Sequence, residues 1–299
     1  MKTALDCIPC LIRQAIDAAR RSSPEPDFHI RVTREILQWA SVINLQDSPP
    51  ALAQQIHRRL REATAAADPY GPLKTFHNQL AWRLLPQLEA AVSEARDPLA
   101  MATRLAIAGN VIDLGARADI TGDEVREAIG NALAEPFSGN IDDFRQALDE
   151  ARSILYLADN AGEIVFDRLL LAQLAGHRLT VAVRGAPVLN DATLEDARAA
   201  RLDEMAALID NGSDAPGTLL DDCSPAFRAQ YRRADLVIAK GQGNLESLND
   251  TDQRVFFLFK IKCAVIADHV GQPEGTHILM RPLSLGERAS ATPGEDSAL

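Results

Sequence analysis

Residues 159–163 read Asp-Asn-Ala-Gly-Glu and follow directly on the apolar run 154–157. The carboxylate of Asp159 and the side-chain amide of Asn160 offer the hard oxygen ligands that Mg²⁺ and Mn²⁺ prefer. Gly162 permits a close backbone approach, and the helix predicted behind it favours an anion such as phosphate. The alternative is that Asp159 or Asn160 only caps this helix, which is the more common role of these residue types.

A second polar loop, residues 184–193, follows the next apolar run. Thr193 and Asp196 have the spacing of a helix capping box, and this cap leaves Asp191 free for another role. If Asp191 meets the first loop at the edge of a sheet, its carboxylate adds a third oxygen ligand and leaves room for water and phosphate. Arg184 is either a phosphate partner or a solvated loop charge, and we favour the solvated charge.

A third polar loop follows the apolar run 236–239 and comprises Lys240, Gly241, Gln242, Gly243 and Asn244. Its glycines would let backbone N–H groups face a ligand, and its lysine would add a point charge for phosphate. The order differs from that of a P-loop, where the lysine comes after the glycines. Two further candidates are ambiguous. Lys262 either reaches the site or is a surface lysine, and Asn110 either lines the cleft or stands at a helix end.

The elements that must position these loops change in type along the chain. In the first hundred residues, apolar positions recur at three- and four-residue steps, which predicts helices within residues 8–16, 30–40, 52–60 and 80–92. From residue 153 onward helical stretches alternate with short apolar runs, which are residues 154–157, 179–183, 207–212, 236–239, 263–267 and 277–280. This alternation predicts an α/β sheet covered on both faces, with ligands beyond the carboxyl ends of the strands. We therefore expect a helical subdomain at residues 1–100, an α/β domain at residues 101–285 and a disordered tail at residues 286–299.

Composition and charge exclude several classes of function. The formal charge is -11, with 31 basic against 42 acidic residues, which argues against nucleic acid as the main partner. No apolar run of about 18 residues and no signal-peptide pattern are present, so we expect no membrane span and a cytoplasmic location. The histidines lack metal-site spacing, and no GxSxG motif occurs. Cys7 and Cys10 lack a second CxxC for a zinc site, so their role stays open.

The stretch 159–163 resembles the DNxGE signature of the DUF89 family, the ARMT1-like damage-control phosphatases. Other resemblances follow the family's order across most of the chain: Cys7 with Cys10, residues 68–70 with Lys74, Gly109 and Asn110 with Asp113, and residues 184–193, 240–244 and 256–263. The CxxC pair is similar to that of the family's prokaryotic branch. The RTxK motif of the eukaryotic branch is replaced by residues 259–262, of which only Lys262 matches, so that branch's substrate preferences do not carry over.

The resemblance implies a three-layer α/β/α sandwich with a mostly parallel sheet, preceded by an all-α subdomain. It also implies a phosphatase that hydrolyses phosphate monoesters of small metabolites, either sugar phosphates or damaged phosphometabolites. A divalent cation (Mn²⁺, Co²⁺, Ni²⁺ or Mg²⁺) would be held by Asp159, Asn160 and Asp191, with Lys240 as a further catalytic residue. The predicted substrate contacts are Asn110, Gly162, Glu163, Lys240, Gly241, Gln242, Gly243, Asn244 and Lys262. The nucleophile stays open between water and the Asp159 carboxylate.

Two alternatives belong to other classes. One is an S-adenosylmethionine-dependent carboxyl methyltransferase on a Rossmann-like sheet. The missing glycine-rich turn after the first strand argues against it, and clustered Asp and Asn favour a cation over a sulfonium cofactor. The other is a protein without catalysis, which is either a sensor that binds a phosphorylated metabolite or a partner-binding module that uses the helical N-terminal part.

Overall fold

The N-terminal third of the chain is helical, as the sequence predicts. The computed structural model describes residues 1–63, 68–108, 127, 130–248 and 252–282. Its first helices are α1 (Cys7–Ser22), α2 (Pro26–Ala40), α3 (Pro49–Ala63), α4 (Gly71–Glu94) and α5 (Pro98–Ile107). Proline occupies the first turn of α2, α4 and α5, where its fixed φ suits a helix and its missing N–H costs nothing. The prolines that separate the predicted segments therefore begin helices.

One sheet organises the rest of the described chain. Its strands are β1 (Phe137–Gly139), β2 (Ser153–Leu157), β3 (Arg178–Val183), β4 (Ala207–Asp210), β5 (Leu236–Lys240), β6 (Val255–Lys260) and β7 (His277–Met280). Their order is β1-β7-β6-β5-β2-β3-β4, and only β6 and β7 pair antiparallel. The chain winds in opposite directions from β2, which lies between β5 and β3. Such a switch point leaves a crevice beyond the carboxyl ends of the strands, where ligands bind.

Helices cover both faces of this sheet, which confirms the predicted α/β/α layers. They are α6 (Ile141–Glu150), α7 (Glu163–Gln173), α8 (Leu194–Ala199), α9 (Pro225–Arg233), α10 (Gln242–Leu248) and α11 (Ala264–Val270). On one face Phe166 of α7 packs in the same core cluster as Ile238 of β5. On the other face Phe227 of α9 and Leu245 of α10 pack in a cluster with Val237. The strands are buried on both sides, which explains why they read as continuous apolar runs.

One predicted strand is wrong. Residues 264–267 belong to helix α11 and Cys263 is its N-cap, and the strand of this region is β6, which begins eight residues before Cys263. A short apolar run does not by itself distinguish a strand from a helix. Of the residues in α11 only Ile266 is buried, whereas the five residues 255–259 of β6 are all buried. Lys262 consequently follows a strand instead of preceding one, and it lies at the same sheet edge as the other polar loops. Strand β1 was not predicted either.

The first three helices form a core of their own. Leu11, Ile36 and Ile56 from α1, α2 and α3 belong to one cluster of buried side chains. We use the term cap for α1 to α3. Leu84 and Leu88 of α4 belong to the sheet's cluster, so α4 connects the cap to the sheet. The domain boundary at residue 100 stays a prediction, and the tail 286–299 lies outside the described residues. Among the described helices, none combines the length and hydropathy needed to cross a bilayer.

Candidate active site

The loops that follow β2 and β3 are hydrogen-bonded to each other. The N–H of Ala161 donates to the carbonyl of Asn190 at 2.8 Å, and the N–H of Ala192 donates to the carbonyl of Asp159 at 2.8 Å. Asn160 and Asp191 thereby form an isolated antiparallel bridge. Because β2 and β3 are parallel neighbours, their carboxyl ends reach the same edge, and the pairing continues into the loops.

The alternative of a simple helix cap does not describe Asp159 and Asn160. Helix α7 begins after Gly162, which has a φ of 81°, and no side chain caps it. The Asn160 amide donates instead to Asp159 Oδ2 at 2.7 Å. The predicted capping box of Thr193 and Asp196 is confirmed at the start of α8. Asp191 is therefore not needed as a cap.

Arg184 links the two carboxylates from behind, so its prediction as a solvated charge is wrong. Its side chain is 2% exposed. Its Nε donates to Asp191 Oδ2 at 2.6 Å, and an Nη lies 3.5 Å from Asp159 Oδ1. One guanidinium that reaches both groups shows that the two carboxylates lie close together.

The electrostatics of this set favour the addition of positive charge. Burial, and after it the charges of Asp191 and Glu163, raise the pKa of Asp159 to about 8, against the opposing effect of Arg184 and Lys262. Burial also raises the pKa of Asp191 above its ordinary value, although Arg184 and Lys262 oppose the shift. Two buried carboxylates with so little compensating charge are costly unless a further cation joins them.

A cavity of about 340 Å³ opens over these groups, between the sheet edge and the cap. Its sheet side is lined by Asp159, Asn160, Asp191, Gln242, Gly243 and Lys262. Its cap side is lined by α1 and α3, including Cys7, Cys10, Leu11, Gln14 and Ala53. The three predicted metal ligands and three of the predicted substrate contacts thus line the same cavity.

Lys240 and Asn244 do not lie where the predicted substrate contacts require them to be. Lys240 is fully buried, and its Nζ lies 2.6 Å from both Glu163 Oε1 and Asp167 Oδ1. Burial lowers the pKa of Lys240, but the two carboxylates outweigh it and raise the pKa on balance. The Asn244 amide donates to the Lys240 carbonyl at 2.7 Å, and its Oδ1 accepts from Thr218. Neither side chain lines the cavity, so both support the site from below it.

Glu163, Gly162 and Gly241 do not line the cavity either. Glu163 accepts a hydrogen bond from Lys240. The N–H of Gly162 donates to Asn78 Oδ1 at 2.6 Å, so this N–H is not available to a phosphate. Gly241 has a φ of 80°, and a Cβ at this position would overlap the carboxylate of Asp159. The glycine is required so that Asp159 fits against the third loop.

If Asp159 is the metal ligand that the sequence predicts, Gly241→Ala should lower kcat/KM by about 100-fold, because displacement of a group at the reaction centre by about 1 Å costs that much. Gly271→Ala is the matched control, since Gly271 has a φ of 71° and an added Cβ would meet no atom within 4 Å. Both variants carry the same backbone strain, and only the first pushes on Asp159. Phosphate release and thermal unfolding of the two variants measure the difference, and equal activities would show that the contact with Asp159 is unimportant.

The family model of the damage-control phosphatase ARMT1-like domain matches residues 3–278 of this chain. The chain belongs to this family.

Relatives of this family align along nearly their whole length. An uncharacterized protein of Methanocaldococcus jannaschii is 34% identical over 295 residues, covering 94% of this chain and 96% of the relative. A damage-control phosphatase of Archaeoglobus fulgidus is 33% identical over 278 residues, covering 91% and 96%. The crystal structure of a DUF89 family protein from Pyrococcus horikoshii superposes with a TM-score of 0.86 at 27% identity, covering 95% of this chain and all of that one. These similarities identify the chain as a phosphatase of the DUF89 type.

Some cavity residues of this family member were not predicted. Glu246 lines the cavity, and its Oε1 accepts a hydrogen bond from Gln242 at 2.9 Å. Burial raises the pKa of Glu246 to about 7. Its spacing of four residues from Gln242 was a signal, because such pairs share one helix face. Cys263 lines the cavity with Cys7 and Cys10, and all three are free thiols. Asn110 lies outside the described residues.

Proposed function

We propose that this phosphatase hydrolyses phosphate monoesters of small metabolites with a divalent cation held by Asp159, Asn160 and Asp191. The observation that carries the proposal is the pairing of the two loops, which brings these three oxygen-bearing side chains to one wall of the cavity. The names of the relatives from Archaeoglobus and Pyrococcus, both damage-control phosphatases, support the substrate class.

The donor set fits a hard cation that keeps part of its water. Among the described residues, no group of three or more His, Cys, Asp and Glu side chains is arranged to hold a metal ion. The proposed set has only two carboxylates and one amide. Mg²⁺ and similar ions are typically bound by one or two carboxylates together with substrate phosphate oxygens and water. The same oxygen donors can also bind Mn²⁺, Co²⁺ and Ni²⁺, and they do not select strongly among these ions. We therefore propose one of Mg²⁺, Mn²⁺, Co²⁺ and Ni²⁺ as the cofactor.

Each part of the cavity has a distinct task in the proposed reaction. The bound cation supplies Lewis-acid polarisation of the phosphate ester. Lys262, on the opposite wall from the cap, offsets negative charge on the phosphoryl group. Arg184 holds Asp159 and Asp191 in place through its buried guanidinium. Helices α1 and α3 of the cap cover the cavity, exclude water and contact the leaving group.

Phosphate release from a panel of sugar phosphates tests the proposal. We expect release with Mn²⁺, Co²⁺, Ni²⁺ or Mg²⁺ and none after treatment with EDTA. Calorimetric titration with S-adenosylmethionine should give no heat of binding, which separates the phosphatase from the methyltransferase. Release that persists without any metal would contradict the cation's role, and the absence of release with every metal and substrate would contradict the substrate class.

Lys262→Met should raise KM for the best substrate about 10- to 150-fold and leave the affinity for Mn²⁺ unchanged. The reason is that one charge-assisted hydrogen bond to phosphate contributes roughly 1.5 to 3 kcal/mol. Lys260→Met is the control, because the Lys260 ammonium bonds Glu135 at 2.7 Å and does not line the cavity. Steady-state kinetics with a Mn²⁺ titration measure both values. A KM equal to that of the wild type would show that Lys262 does not bind the phosphate.

A further inference from the structure

A single buried amide on helix α4 joins the two chain segments that carry the candidate metal site. Asn78 is 5% exposed. Its Oδ1 accepts a hydrogen bond from the N–H of Gly162 at 2.6 Å, and its Nδ2 donates to Asp196 Oδ1 at 3.0 Å. Gly162 follows Asp159 by three positions, and Asp196 follows Asp191 by five. The two ends of one side chain therefore reach the end of the loop after β2 and the first turn of helix α8, which directly follows the loop after β3.

Asp196 fixes the second of these loops at several points. Its Oδ2 accepts from the N–H and the hydroxyl of Thr193, each at 2.9 Å. The same oxygen lies 3.0 Å from the Nζ of Lys74, which is 4% exposed and also pairs with Asp68 at 2.9 Å. The capping box at the start of helix α8 is thus anchored to α4 by Lys74 and Asn78 together. Because Asn78, Lys74 and Asp196 are buried, the bonds among them restrict the start of α8 more than exposed bonds would.

We propose that Asn78 is a positioning residue, which holds the loops after β2 and β3 at a fixed separation and so sets the arrangement of Asp159, Asn160 and Asp191. The metal part of this inference rests on the proposed function. Residues that orient metal ligands influence affinity and activity without touching the ion. Asn78 is buried and does not line the cavity, and it therefore acts through the ligands instead of on the substrate.

Gln54 of α3 offers a matched comparison. It is also a buried amide at 5% exposure, and its Nε2 donates to Asp214 at 2.6 Å and Asp222 at 2.7 Å. It therefore joins a helix of the cap to sheet-side loops that carry none of the proposed metal ligands. A role that only attaches helices to the sheet would make Asn78 and Gln54 equivalent. A positioning role makes them different.

Hydrogen exchange of the metal-free protein tests the contact directly. For Asn78→Ala we expect exchange about tenfold faster in the segments 158–163 and 190–196, because each loses a buried hydrogen bond. Asn78→Asp keeps the acceptor for Gly162, but it replaces the donor to Asp196 by a carboxylate that repels Asp196, so segment 190–196 should exchange faster than segment 158–163. Gln54→Ala should leave both segments at the wild-type rate.

The affinity for Mn²⁺ is the second readout. We expect Asn78→Ala to weaken it by about 10- to 100-fold with a matching loss in kcat, and Gln54→Ala to keep it within about twofold. Wild-type exchange and Mn²⁺ affinity in Asn78→Ala would overturn the inference, as would equal effects of both alanine variants. If the wild-type protein neither binds Mn²⁺ nor releases phosphate, the proposed function fails, while the exchange rates still decide whether Asn78 holds the loops.

Discussion

Replacement of Asp159 by asparagine is expected to lower metal-dependent phosphate release by at least about 1,000-fold, since loss of a residue that merely supports a ligand already costs up to about 100-fold. The substitution keeps the volume of the side chain and removes its charge. Asp159 stands against Asp191 in a buried cluster and is bonded by Asn160 at 2.7 Å. A neutral amide there retains the packing and loses the strongest oxygen donor for a cation.

The metal-free Asp159→Asn protein should be at least as stable as the metal-free wild type. Asparagine removes one of the mutually repelling buried carboxylates, Asp159, Asp191 and Glu163. Thermal unfolding with and without Mn²⁺ measures this, and Mn²⁺ should raise the Tm of the wild type alone, because a ligand stabilises only the fold that binds it. Full activity in the Asp159→Asn variant would show that Asp159 takes no part in the reaction.

Asp235→Asn serves as the control for this substitution. Asp235 lies at the opposite end of β5, where its Oδ2 accepts from the N–H groups of Arg152 and Ser153. The same chemical change at the amino edge of the sheet should leave phosphate release and the Mn²⁺ effect on Tm unaltered. A comparable loss of activity in Asp235→Asn would show that the sheet as a whole, and not its carboxyl edge, responds to such changes.

Lys240→Met is expected to lower the free energy of unfolding by about 3 to 5 kcal/mol, because it leaves buried carboxylates without their partner. The Lys240 ammonium is the shared partner of Glu163 and Asp167, at 2.6 Å from each. Methionine fills a similar volume but supplies no charge. Urea unfolding gives the free energy, and its midpoint should fall without a large change in slope.

A second substitution separates this buried role from a phosphate contact. Asp167→Asn added to Lys240→Met should recover part of the lost stability, since removing both charges of a buried pair costs less than removing one. If Lys240 instead bound phosphate directly, Lys240→Met would raise KM at unchanged stability, and the second substitution would give no recovery. That result would restore the contact that the sequence predicts.

The alternation of side chains along a strand could have predicted the face of the sheet to which Lys240 points. An error in the predicted end of the strand hid this prediction. The apolar run predicts a strand that ends at residue 239, whereas β5 includes Lys240. Successive side chains point to opposite faces, so Lys240 shares a face with Leu236 and Ile238. That face is covered by α7, on which Glu163 and Asp167 are four residues apart and therefore adjacent. The ion pairs of Lys240 with Glu163 and Asp167 could therefore have been predicted from the sequence.

The sequence by itself determined that Asp159, Asn160 and Asp191 reach one edge of the sheet, although it did not determine which of the other predicted residues line the cavity. Apolar runs followed by Asp159, Asn160 and Asp191 are sufficient, because parallel neighbouring strands end at one edge and present their loops together. The tertiary structure alone decided how the charged and amide side chains pair. Arg184 was expected in solvent and lies buried between two carboxylates, and Asn78 bonds Gly162 from 84 positions away. A buried charge or amide must find a partner wherever the fold provides one, and no local pattern along the chain specifies that partner.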